Sequence, residues 1–243
     1  MNNVRTEVSF SQKRPVWTVV IIELLLLLAM MASGTYATLN ELNYAAPVLI
    51  AFIPIALVLV IYFTLRNKWS MLGFRPLRSI SPRHWVYYSP LAAILLINCL
   101  KGFRGIGVSE VLFLIFFTLL VGFVEESIYR GLILKTLLAK GVKTAVITSS
   151  ILFAVTHILN ALSGQSLAQT ALQIVYALLM GAVLALLMVK TNNIVPLILF
   201  HFLHNLIQFA GNDNSSAFIG YDLLILLVLA GQCFWISKSL SNG

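Results

Sequence analysis

Two adjacent carboxylates and an arginine, in the pattern Glu125-Glu126-x-x-x-Arg130, stand inside one of the longest apolar runs of the chain. A charged side chain near the middle of a bilayer costs at least about 2.5–3.5 kcal/mol, so three within six residues require partners, protonation or a task. On a helix, Glu126 and Arg130 are one turn apart with the acid N-terminal, the favoured orientation for an ion pair. Glu125 then points about 100° away. The chemistry on offer is a division of labour in which Arg130 holds Glu126 and Glu125 faces whatever the site acts on. Spacing alone equally fits a solvated helix end, and the rest of the chain decides between the two.

Further along, Phe153-x-x-x-His157 and His201-x-x-His204-Asn205 place three imidazoles and an amide in apolar segments. A lone histidine in such a segment is more often a packing residue, but depth changes the weighting. The turn after the Glu125 helix centres near Gly141, with Glu125 sixteen residues before it and His157 sixteen after. In an antiparallel hairpin both then lie at one level, roughly 24 Å along the helices. His201 and Asn205 share a helix face about 15–20 Å from the loop at Asn192. His204 ranks second to His201, with a hydrogen bond to a neighbouring helix as its simplest role.

The elements that must carry these groups are membrane helices. Of 243 residues, 60% are hydrophobic and 10% charged, with a mean hydropathy of +0.95, which excludes a water-soluble globular domain. The fold class is all-α, a polytopic membrane helix bundle. Windows long enough to cross a bilayer fall near 16–33, 44–65, 85–100, 110–138, 144–161, 168–189, 194–210 and 218–236, which makes about eight transmembrane helices. The third is short and holds Pro90 and Asn98. The fourth is too long to stand upright across about 30 Å. The first reads as an uncleaved span, since no clear Ala-x-Ala site follows it.

The sixteen Lys and Arg residues test this topology. Arg5, Lys13, Arg14, Arg66, Lys68, Arg75, Arg78, Arg83, Lys135, Lys140, Lys143, Lys190 and Lys238 fall on the side of the N-terminus, against Lys101 and Arg104 opposite and Arg130 within a span. Both termini are therefore expected in the cytoplasm. The net charge of +8 belongs to this asymmetry, and no basic stretch interleaved with aromatics suggests nucleic acid. Residues 66–84 are basic, aromatic and broken by Pro76 and Pro82. They are expected along the cytoplasmic interface with their aromatics among lipid headgroups, or as a gate for substrate. Cys99 and Cys233 have no metal-ligand spacing and read as small core residues.

Taken in order on successive helices, Glu125-Glu126-x-x-x-Arg130, Phe153-x-x-x-His157 and His201-x-x-x-Asn205 resemble the CAAX protease and bacteriocin-processing family of intramembrane endopeptidases, which includes the eukaryotic Ras-converting enzyme. The likeness covers about residues 85–210. It implies a peptidase in which Glu125 and His157 activate water, His201 and Asn205 stabilise the oxyanion or bind metal, and Glu126 and Arg130 support them. Zn²⁺ held by His157, His201 and a carboxylate is one version, leaving a position for water. The other is metal-free, with Glu125 as general base and Asn205 as oxyanion donor.

The chain then divides into two N-terminal helices with a basic interfacial segment (1–84), a catalytic helix core (85–210) and a C-terminal helix (211–243). The expected partners are the lipid bilayer and a membrane-associated peptide or protein, in a multi-pass protein of a bacterial plasma membrane. Bacteriocin maturation, self-immunity and processing of a signalling peptide are the roles the likeness brings. The alternative is a non-catalytic membrane scaffold or immunity protein of the same fold. A secondary transporter ranks third, because inverted repeats with paired broken helices are not evident.

Overall fold

The computed structural model describes residues 10–162, 165–212 and 219–242, so Arg5 lies outside the described residues. These form helices and turns, joined by one isolated bridge between Phe103 and Gly211. The main helices are α1 (Pro15–Leu39), α2 (Ala46–Leu65), α3 (Ser89–Cys99), α4 (Val108–Glu126), α5 (Val142–Thr156), α6 (Leu167–Thr191), α7 (Val195–Ala210) and α8 (Ile219–Ser241). Prolines stand in the first turns of α1, α2, α3 and α7, where no backbone donor is lost and φ is already helical. A reciprocal Ser166–Gln169 capping box opens α6, and left-handed Asn192 closes it, as such caps do elsewhere.

Six helical stretches among the described residues are long and apolar enough to cross a membrane: Pro15–Leu39, Ala46–Leu65, Val108–Lys140, Val142–Ala161, Leu167–Thr191 and Gly220–Ser241. α7 is apolar but shorter. α3 is shorter still, about 17 Å, but a 3₁₀ stretch over Pro82–Tyr88 precedes it and adds about 14 Å.

The bundle has two chemically distinct ends. At one, Lys135 bonds to Asn192, Lys190 and Tyr87 both reach Ser239, and Tyr88 meets Thr191. At the other, Lys101 pairs with Asp222, Arg104 pairs with Glu110, and the Arg104 N–H donates to Ala210 O. α3 and α7 both run from the first end to the second.

The fourth helical stretch is not a plain α-helix. Directly after Glu126 it widens into a π-helix over Ser127–Leu134, a geometry found mostly as single turns near functional sites. It continues to Lys140, and Gly141, at φ +97°, turns the chain into α5. α4 packs along α7 and α5 along α6. Two glycines permit this closeness. A Cβ on Gly122 would stand 3.2 Å from both Ile198 O and Phe202 N, and one on Gly181 would stand 3.2 Å from the Phe153 ring and 3.3 Å from Ser150 Cα. In α4 with its extension and in α6, 50% of the most apolar window is buried, against 22% in α1, α2 and α8. The first pair is thus the centre and the others its lipid-facing jacket.

In residues 66–84, the aromatics expected among lipid headgroups have partners within the protein instead. Trp69 and Phe74 turn inward and pack on each other, on buried Phe63 and on Phe123. Leu72 and Ile80 are buried. The Asn193 amide donates at 3.1 Å to Arg75 O, Pro76 O and Ser79 Oγ, while Ile194 N–H donates to Gly73 O. The segment is a strap fixed across the α6–α7 turn, because its aromatics find ring partners in the protein that headgroups would not provide.

Candidate functional site

α4 ends on Glu125 and Glu126, and the two carboxylates part company there. Glu126 is fully buried, with Oε1 2.8 Å from His201 Nδ1 and 3.2 Å from Arg130 Nη1. Arg130, in the first turn of the π-helix, is fully buried as well. Its Nη2 donates to Gly181 O at 3.3 Å and its guanidinium lies 4.4 Å from the centre of the Phe153 ring. A buried ion pair holds only when further partners offset its lost hydration. Here an imidazole, a carbonyl and an aromatic face contribute them.

His201 comes from α7, brought close by the absent Cβ of Gly122. Its Nδ1–H donates to Glu126, which leaves Nε2 toward Glu125, 3.4 Å from Oε2. That is longer than an ordinary hydrogen bond, so both groups keep capacity for a third partner. Glu125 is partly exposed, to a cavity of about 230 Å³ that it lines together with His157, His201 and Asn205.

His157 lies within the apolar stretch Val142–Ala161, at a break in its helix. α5 ends at Thr156, His157 and Ile158 turn, and a short helix follows over Leu159–Leu162. The break is stabilised locally, since His157 Nδ1 meets Phe153 O at 2.9 Å and so serves a carbonyl freed by the end of the helix.

Asn205 sits one turn beyond His201. His204 Nδ1 lies 3.4 Å from Asn205 Oδ1, and His204 Nε2 lies 2.6 Å from the Tyr176 hydroxyl of α6. A second chamber of about 100 Å³ opens beside the first, and His157, Gln173, His201 and Asn205 line both.

The structure thus brings Glu125, His157, His201 and Asn205 to one cavity and sets Glu126 and Arg130 behind it. It does not assemble the expected zinc ligands. Among the described residues, no group of three or more His, Cys, Asp or Glu side chains could hold an ion. The His201 ring is already placed between two carboxylates, and Oε1 of Glu126 is shared by His201 and Arg130, so the residues present do not fit a three-ligand zinc centre.

Several lining residues had no motif to reveal them. The hydroxyls of Tyr129 and Thr156 bond at 2.8 Å, and Asn160 donates to Gln173 at 2.8 Å. Leu26 and Met30 of α1 and Val48 and Phe52 of α2 close the wall. Behind them Glu23 is buried in α1 beside Tyr129. Its signal was available, as the one acid in the first apolar run.

Residues 107–207 match the Rce1-like family model, type II CAAX prenyl endopeptidase Rce1-like. The matched stretch contains all seven motif residues, and the likeness read from them is borne out there. It points to intramembrane protease activity. No curated protein matches the chain.

Proposed function

We propose that the chain is an intramembrane endopeptidase that hydrolyses a peptide bond in a membrane-associated peptide or protein, using Glu125 as general base and no metal. The observation that carries this reading is the convergence of Glu125, His157, His201 and Asn205 on one cavity inside an apolar bundle, with Glu125 and His201 3.4 Å apart.

A water held by Glu125 and His157 gives a proton to the Glu125 carboxylate as its oxygen bonds to the scissile carbonyl carbon. The carbonyl π electrons move to oxygen, where the Asn205 amide and the Nε2–H of a doubly protonated His201, its charge held between Glu125 and Glu126, donate to the new anion. Collapse of the tetrahedral intermediate breaks the C–N bond, and Glu125 returns its proton to the departing amine. Each preorganised oxyanion donor of this kind is worth about 10²–10³ in rate. Glu126 and Arg130 serve by fixing His201, so that its Nε2 needs no reorganisation during the reaction.

Around this site we read eight crossings. The two short helices run between the same two ends as the six long ones, and the basic end, with both termini, faces the cytoplasm of a bacterial cell. Peptide maturation, bacteriocin self-immunity and signalling-peptide processing suit such an enzyme better than prenylated protein substrates.

The test is cleavage of a panel of candidate peptides by the purified protein in detergent, with and without chelator. Glu125→Gln and His157→Ala should each abolish cleavage while melting like the parent, and chelator should leave the parent's rate unchanged. Cleavage by Glu125→Gln at the parent rate would overturn the reading, and loss of activity with chelator would restore the metal.

A further inference from the structure

We infer that Tyr176 and His204 form a positioning pair that orients the Asn205 amide toward the scissile bond, an inference that rests on the peptidase reading above. With the Asn205 amide placed as it is, Oδ1 toward His204 Nδ1, one arrangement of neutral groups is consistent. The Tyr176 hydroxyl, 2.6 Å from His204 Nε2, donates to it, since a neutral imidazole with an acceptor at Nε2 carries its proton on Nδ1. That Nδ1–H then points to Asn205 Oδ1 at 3.4 Å. Long as this contact is, the Nδ1–H favours the amide oxygen on its own side, so the Asn205 amide turns its NH₂ to the cavity, as an oxyanion donor must.

The pair is built to hold still. The Tyr176 and His204 rings stack with centroids 5.4 Å apart and an interplanar angle of 29°, and Phe200 packs on His204 at 5.8 Å. His204 is buried. Neighbouring residues on a helix do not ordinarily face each other, so the Asn205 rotamer here depends on a partner that is itself pinned from α6.

The amide has two orientations about its terminal torsion, and only one puts a donor in the cavity. Tyr176 and His204 line the second chamber and not the cavity that Glu125 borders, so their effect is expected in kcat and not in KM.

The experiment is a double-mutant cycle of Tyr176→Phe with Asn205→Ala, measured as kcat and KM on a peptide that the parent cleaves and Glu125→Gln does not. Tyr176→Phe keeps the stacked ring and should lower kcat about tenfold, the equivalent of one lost hydrogen bond, with KM unchanged. In the Asn205→Ala background it should cause no further loss. His204→Asn, which retains a donor near the Nδ1 position, should keep more activity than His204→Phe. Additive losses in the cycle, a parent-like kcat for Tyr176→Phe, or equal loss in both His204 variants would overturn the pairing. A parent that cleaves nothing, or a Glu125→Gln variant as active as the parent, would instead overturn the peptidase reading and this inference with it.

Discussion

At the scale of single residues, the two neighbouring glutamates call for opposite outcomes on mutation. Glu125 borders the cavity, and its contact with His201 is a long one. Glu125→Gln should therefore leave the melting temperature in detergent within a degree or two while removing cleavage, which parallel thermal and activity assays read directly. Arg130 is fully buried against Glu126, Gly181 O and Phe153. Arg130→Ala leaves an uncompensated buried carboxylate, and a loss of about 3–5 kcal/mol is expected, visible as a collapsed melting transition. Arg130→Lys should recover part of it, since the charge survives but the planar fork does not. An Arg130→Ala protein as stable as the parent would mean that Glu126 is neutral and that the pair is not ionic.

At the scale of elements, the distance between α4 and α7 is set by a missing methyl group. A Cβ at Gly122 would press on two backbone atoms of α7 at 3.2 Å, which cannot swing aside as a side chain could. Gly122→Ala should therefore separate the helices, cost about 1–3 kcal/mol as overpacking does, and loosen the contact between His201 and Glu126. Activity should fall more steeply than stability. Gly34→Ala in α1 meets nothing within 4 Å and serves as the neutral control in the same thermal and kinetic assays. The strap over residues 66–84 depends on Asn193 in a comparable way. Asn193→Ala would remove the amide's bonds to the carbonyls of Arg75 and Pro76, the latter keeping Ser79 N–H, at a cost of about 1 kcal/mol, and limited proteolysis should then cut within the strap before the rest of the chain.

At the scale of the whole molecule, the prediction concerns orientation in the membrane. Lys143 and Gly105 lie at opposite ends of the α4 stretch and are both exposed. With Cys99 and Cys233 replaced, an impermeant maleimide added to intact cells should label Gly105→Cys at once, and Lys143→Cys only after the cells are opened. The reverse pattern would invert the proposed topology, and labelling of both from one side would mean that the α4 stretch does not cross. The cavity also draws on more of the chain than the matched family stretch. Leu26, Met30, Val48 and Phe52 come from α1 and α2, helices that sequence reasoning assigns to a separate N-terminal unit. Their apolar faces serve lipid and cavity alike, so nothing in their composition distinguishes the two.

The amino-acid sequence alone determined that this is a helical membrane protein with a pocket of polar groups. Apolar windows, the sorting of Lys and Arg between two ends, and the expense of acid and imidazole at depth are local or additive properties that can be read along a chain. What tertiary structure decided was who touches whom. The same Glu126 pairs with Arg130 by helical spacing, but its bond to His201 spans 75 positions and depends on Gly122 letting α7 approach. The π turn, the break at His157, the inward-facing strap and the Tyr176–His204 contact likewise arise from packing between helices distant in the chain. Periodicity reports which face of a helix is apolar, and only the assembled bundle determines what that face meets.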